Sequence, residues 1–319
     1  MMVQYLSSPI PAKAFRDKIT AAERYMKIND NREAIRFCIE IASLLGDRTP
    51  ENVYHLLSQA YAQNKESFGG TQEENQVWGD RDKHEILETV HAQLEPELYL
   101  EIGVDQGISL SLARGRAIGV DARPDLNLKK PLGNNASLVK LSSDAFFREQ
   151  AEALLTVPPG LVFIDGMHLF EFALRDFMNA ERFASYESLV IVDDIFPCHP
   201  AQAARLPRTD SWTGDVWKLQ LILRESRPDL KLISLNAKGT GLLLIAGLDP
   251  ANRVLWKNYD QIVRTYGQDI EPPSEILKRM GTSPSDYVLV TRLLALLNDA
   301  RQMNWSHKQV REALWQLSA

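Results

Sequence analysis

Between Leu98 and Asp194 five short apolar runs recur, each ending on an acidic residue or a glycine turn, with helical stretches filling most of the intervals. Strands that alternate with helices pair in parallel, and an open parallel sheet binds its ligands beyond the carboxyl ends of its strands. The pattern predicts strands over 98–102, 116–121, 136–141, 161–165 and 188–193, with helices over 108–114, 145–155 and 169–184. Leu161 to Ile164 and Leu189 to Val192 are continuously apolar, which marks central strands covered on both faces. After a helix over 216–224, Leu230 to Leu235 and Leu242 to Ala246 flank the hairpin-like Asn236 to Gly241, so the last strand is expected to run antiparallel.

Two helical regions flank this alternation. Phe15, Ile19, Tyr25, Ile35, Ile39, Val53, Leu57 and Tyr61 fall near helical spacing, predicting three helices from Pro11 to about Asn64. Asn31 is expected to cap the second, Gly46 to end it, and Thr49 with Pro50 to open the third. Lys65 to Asp80, with Ser67, Phe68, Gly69 and Gly70, is a long loop before a helix over 83–94. Beyond Asp249 the chain turns helical again, notably over 287–298 and 308–317. The expected organisation is a helical region and loop at 1–80, an α/β domain at 81–248 and a helical region at 249–319. The terminal helices are candidates for packing on the α/β domain or for a homodimer contact.

Composition narrows the partners. With Lys+Arg 36 against Asp+Glu 42, the chain of 319 residues carries a net charge of −6, which argues against nucleic acid as the default partner. Cys38 and Cys198 are too few for a disulfide framework, and Met-Met-Val-Gln-Tyr lacks a secretory signal, so the expected compartment is the cytoplasm. No apolar stretch approaches the ~20 residues of a membrane span.

The first run carries Glu101 and feeds Gly103-Val104-Asp105-Gln106-Gly107; the second ends on Asp121. Glycines at 103 and 107 permit a tight turn close to a ligand, yet a dinucleotide fingerprint would need glycine at 105 and 108, where Asp105 and Ile108 stand. Acids in place of a phosphate cradle suit a cofactor with a positively charged methionine portion and no pyrophosphate, which points to S-adenosylmethionine.

Over about residues 80 to 247 the chain resembles the class I S-adenosylmethionine-dependent methyltransferases. Glu101, Gly103 and Gly107 match the first motif, Asp121 the acid after the second strand and Asp144 the acid after the third. The resemblance implies a Rossmann-like methyltransferase sheet of seven strands with the last antiparallel. It also implies that the 103–107 turn wraps the methionine portion, that Asp121 meets the ribose hydroxyls and that Asp144 lies near the adenine amine. Helix capping is the alternative role for Asp121 and Asp144.

A second constellation is Phe163-Ile164-Asp165-Gly166-Met167-His168, with Asp193-Asp194 at the end of the fifth strand. Three carboxylates on adjacent strand ends, Asp165, Asp193 and Asp194, suit Mg²⁺ or Mn²⁺. The set resembles metal-dependent O-methyltransferases of the catechol type, except that Asp194 replaces an expected asparagine. It resembles more closely the family sharing Ile-Asp-Gly-x-His and Asp-Asp, which includes sugar O-methyltransferases. An ion there would activate an acceptor hydroxyl, and His168 would take its proton. The alternatives are that Asp165 only binds cofactor, that Asp194 caps a loop and that His168 satisfies a helix start.

Ile195 to Gly214 is expected to form a lid in which Arg205 and Arg208 either hold an anionic substrate or stay solvated. Asp215 is a candidate cap for the next helix, and Trp217 either a pocket wall or core. The leading reading is O-methylation of a small-molecule hydroxyl, as in a sugar or natural-product intermediate, with Asp165, His168 and Asp194 as its catalytic residues. The rival is a non-catalytic cofactor-binding scaffold working through its terminal helices; an iron-dependent oxidoreductase lacks a suitable two-histidine set.

Overall fold

The structure is a computed structural model that describes residues 12–64, 68–126, 132–284 and 287–317. The expected helix start at Pro11, the amino-terminal pentapeptide and Ser67 of the long loop lie outside these residues.

Three helices come first, α1 (Ala12–Lys27), α2 (Asn31–Leu45) and α3 (Glu51–Gln63). Gly46 ends α2 at φ +56, as expected, but the cap at its start is Asp30, whose side chain accepts from the Glu33 amide. Thr49 does not cap α3 either. Its hydroxyl donates back to the Gly46 carbonyl at 2.8 Å, and Pro50 holds the capping position without a side-chain bond. In both cases the expected cap binds another backbone carbonyl instead: the Asn31 side-chain amide donates to Gln63 at 3.0 Å, as the Thr49 hydroxyl does to Gly46.

The α/β domain begins at α4 (Lys83–Leu94) and holds β1 (Leu98–Ile102), β2 (Arg116–Val120), β3 (Ala136–Val139), α5 (Ser143–Glu149), α6 (Ala151–Leu154), β4 (Leu161–Ile164), α7 (Phe170–Phe183), β5 (Leu189–Val192), α8 (Lys218–Ser226), β6 (Lys231–Leu235) and β7 (Leu242–Ala246). The strands form one sheet of order β3-β2-β1-β4-β5-β7-β6. All pairings are parallel except the two made by β7. The order reverses between β1 and β4, and such a switch point leaves a crevice at the carboxyl edge. The helix expected over 108–114 is reduced to a single 3-10 turn, Leu110–Leu112.

Strand periodicity places Leu98, Leu100 and Ile102 on one face of the sheet and Tyr99 on the other. Both faces are apolar because helices cover both, and each fully buried Leu, Ile or Phe there contributes about 1.5–3 kcal/mol. Past the sheet come α9 (Val254–Tyr266), α10 (Ser274–Leu277), α11 (Tyr287–Gln302) and α12 (His307–Gln316). They pack within the chain: α9 joins α7 and α8 on one face, while Leu293, Leu294, Leu297, Val310 and Leu314 meet Ile86, Leu87 and Val90 of α4 on the other. Arg81–Asp82 pairs in parallel with Ala237–Lys238 of the β6–β7 connection, which fixes the start of α4 at the sheet's carboxyl edge. Among the described residues no helix is long and apolar enough to cross a membrane.

Candidate functional site

A cavity of about 1010 Å³ opens at the carboxyl edge of the sheet. Among the described residues Asp82, Asp105, Asp121, Asp125, Asp165, Asp193, Asp194 and Asp210 line it, against only Lys83, Arg123 and Lys238 as fixed cations. Such a wall attracts a cationic ligand and repels a phosphate. The helical module closes the other side, with Ile39, Tyr54, Leu57, Ser58, Tyr61 and Phe68 facing the space. The Tyr61 hydroxyl is buried there with no hydrogen-bond partner among the described residues.

After β1 the chain turns through Gly103 (φ +85) and Gly107 (φ +79). A Cβ on Gly103 would stand 1.9 Å from the Asp165 carbonyl oxygen, so only glycine lets the loops after β1 and β4 pass each other. The Gly107 amide donates to the Val104 carbonyl at 2.7 Å. Asp121, at the end of β2, accepts from the amides of Val104, Asp105 and Arg123 at 2.9, 3.0 and 2.8 Å. Its carboxylate therefore holds the glycine turn in shape while lining the cavity.

Two expected cofactor residues sit elsewhere. Glu101 is fully buried behind the turn, where it accepts from the Tyr99 and Ser109 hydroxyls, both at 2.6 Å. Burial pushes its pKa up to about 8 against those two hydrogen bonds. Asp144 is corrected more sharply: it lies inside α5 and pairs bidentately with buried Arg175 at 2.7 and 2.9 Å, so Ser142 and Ser143 face the cavity in its place.

The second constellation does converge. His168 Nε2 lies 3.1 Å from Asp194 Oδ2 and 3.7 Å from Asp165 Oδ1. Its Nδ1 lies 3.0 Å from the Trp212 carbonyl, and its ring stacks on Trp212 at 5.0 Å between centroids. A carbonyl only accepts, so Nδ1 donates, and Nε2 faces carboxylates, so the ring is held as the doubly donating imidazolium. Burial opposes that charge, but Asp194 and Asp165 overcome it and raise the pKa to about 9. Asp194 sits at φ +63, an unusual conformation for a residue with a side chain, and burial raises its carboxyl to about 7 despite His168.

The metal set expected from sequence is not the set that assembles. Ligand atoms of Asp165, His168 and Asp194 lie within 4.8 Å of one another, whereas Asp193 turns to Lys83 Nζ at 2.5 Å and to the Thr240 hydroxyl at 2.9 Å. Lys83 also donates to Asp165 Oδ2 at 2.8 Å. No local pattern in the sequence marks Lys83, because its partners lie 82 and 110 positions away.

The 195–214 segment crosses the cavity mouth and is stitched to the 68–80 loop: Phe68 donates to Asp210, Asp210 to Asn75, and Gln202 to the Glu74 and Gln76 carbonyls. Arg205 is not a substrate clamp, because Glu171, Asp215 and Ser43 occupy its guanidinium; Arg208 is exposed. Asp215 caps α7, accepting from the Phe170 amide at 2.9 Å, instead of α8. Trp217 is core at 1% exposure, and Trp212 is the tryptophan in the cavity wall.

No family model and no curated protein matches the chain. Among solved structures, the chain is similar to the O-methyltransferase TomG of Streptomyces achromogenes, a protein of tomaymycin synthesis in complex with SAM, at 16% identity and a TM-score of 0.40, over 51% of this chain and 78% of that one. An O-methyltransferase from Bacillus cereus in complex with SAH aligns at 13% identity and 0.42, over 65% and 96%. A further alignment, to a putative O-methyltransferase from Klebsiella pneumoniae, stands at 15% and 0.38, over 51% and 79%.

Proposed function

We propose that the protein is an S-adenosylmethionine-dependent O-methyltransferase acting on a hydroxyl of a small molecule, such as a sugar or natural-product intermediate. The observation that carries this reading is the aspartate-lined cavity at the switch point of a β3-β2-β1-β4-β5-β7-β6 sheet, whose glycine turn is held by Asp121. Its sign of charge suits a sulfonium and an ammonium and disfavours a pyrophosphate. The residues that would hold the cofactor are the Gly103–Gly107 turn, Asp121 and the Ser142–Ser143 wall. When bound, the cofactor supplies a methyl carbon on a positively charged sulfur.

The chain's own residues position the acceptor and take its proton. An imidazolium at His168 has no lone pair to offer, so the proton goes to Asp194. Burial raises the Asp194 carboxyl above the usual carboxylate range, which suits a general base, and His168 orients it and balances its charge. The 195–214 segment and α3 enclose the site, limiting water. Cys38 and Cys198 are free and buried, which suits a reducing cytoplasm. Leu293, Leu294 and Leu297 of α11 and Val310 and Leu314 of α12 pack against α4 and the sheet, while Val288 and Trp315 stay exposed.

Incubation with radiolabelled S-adenosylmethionine and a panel of hydroxylated acceptors should transfer label to at least one of them. Cofactor binding without transfer to any sugar, polyol or phenol in the panel would favour the scaffold reading.

A further inference from the structure

We infer that Lys83 is the site's built-in cation, occupying with its ammonium the place between Asp165 and Asp193 that their family resemblance assigns to a divalent ion. As a statement about charge this stands on geometry alone; as a statement about methyl transfer it rests on the proposed function.

The argument begins at the backbone. Lys83 is the first residue of α4, whose cap Asp82 accepts from the His84 amide at 2.9 Å. The preceding Arg81–Asp82 is paired with Ala237–Lys238. The lysine is thus launched from a fixed point toward the ends of β4 and β5. Its Nζ lies 2.8 Å from Asp165 Oδ2 and 2.5 Å from Asp193 Oδ2. The two carboxylates hold the lysine charged against the cost of burial.

Asp193 is largely committed before any metal arrives. Its Oδ1 accepts from the Thr240 hydroxyl and the Asp194 amide, each at 2.9 Å, and its Oδ2 accepts from Lys83. Asp194 turns Oδ2 to His168 at 3.1 Å, and Asp165 turns Oδ2 to Lys83, so neither points a free pair of oxygens at the place Lys83 fills. A divalent ion between Asp165 and Asp193 would have to displace the Lys83 ammonium. The place between Asp165 and Asp193 therefore does not fit the ion while Lys83 holds it.

An ammonium carries three hydrogens, and two are accounted for by Asp165 and Asp193. The third is available on the cavity side, which Lys83 lines. Lys83 is thus a positioning residue that holds the two carboxylates and offers a donor to an acceptor oxygen.

The test is titration of the apo protein with Mn²⁺ alone, followed by electron paramagnetic resonance of the free ion, for wild type, Lys83→Met, Lys83→Gln, Asp193→Asn and the double variant Lys83→Met with Asp193→Asn. Circular dichroism reports whether each is folded. Removing the ammonium should tighten Mn²⁺ binding at least tenfold over wild type in a folded Lys83 variant, and the added Asp193→Asn should reverse the gain. Wild-type binding of Mn²⁺ that Asp193→Asn abolishes would overturn the inference, as would folded Lys83 variants that gain no affinity. If neither Lys83 variant folds, wild type against Asp193→Asn decides alone: failure of wild type to bind supports the inference. S-adenosylhomocysteine binding, measured in parallel without metal, reports on the proposed function independently.

Discussion

Glu51, at the start of α3, accepts hydrogen bonds from both the backbone amide of Ser142, at 2.9 Å, and its hydroxyl. The helical module is thereby tied across the cavity to the segment between β3 and α5. The tie makes a covering element of what reads in sequence as a separate helical region.

Glu51→Ala should loosen that cover. Hydrogen bonds to a charged group contribute about 1.5–3 kcal/mol, and here the loss falls on docking of the module. We expect faster limited proteolysis between residues 64 and 80 and a severalfold weaker affinity for S-adenosylhomocysteine.

Asp144→Ala should act on stability more than on the site. It leaves the Arg175 guanidinium buried without its carboxylate, a change that costs about 3–5 kcal/mol. The expected result is a large fall in melting temperature; at temperatures where the variant stays folded, cofactor affinity should change little. A selective loss of cofactor affinity at unchanged melting temperature would restore the adenine-side role.

Asp194→Asn should keep cofactor binding and lose turnover. Removing a general base typically costs 10²–10⁴ in rate, and the asparagine preserves the shape of the site. Single-turnover methyl transfer, with calorimetric affinity for S-adenosylhomocysteine as the control, separates the two effects.

Glu101 gives a pH signature. Its folded pKa of about 8 lies above the model-peptide value of 4.5, so the folded state holds a proton that the unfolded chain releases first. The resulting stability is fully present below about 4.5 and is lost as pH rises through about 8. Glu101→Gln stays neutral throughout. The stability of wild type relative to this variant should therefore fall by a few kcal/mol between about pH 5 and 9, measured by urea denaturation at each pH.

The α/β core was legible because a strand buried on both faces must be apolar at every position, as Leu161 to Ile164 and Leu189 to Val192 are. Gly103, Gly107 and Asp121 were legible because a glycine turn and an acid at neighbouring strand ends are set by local backbone. Asp144 was misplaced because its partner, Arg175, arrives from α7, 31 positions away. Lys83 and Glu51 carried no signal: each acts on residues brought near only by tertiary packing. The protonation of His168 likewise depends on the Trp212 carbonyl, 44 positions on.

Isothermal titration of the intact protein with S-adenosylhomocysteine tests the central claim most directly, with wild type and Asp121→Asn run side by side and NAD⁺ as the phosphate-bearing control. Saturable binding of one S-adenosylhomocysteine per chain, weakened about tenfold or more in Asp121→Asn and with no heat from NAD⁺, is the predicted result. A protein that binds NAD⁺ and ignores both S-adenosylhomocysteine and S-adenosylmethionine would contradict it.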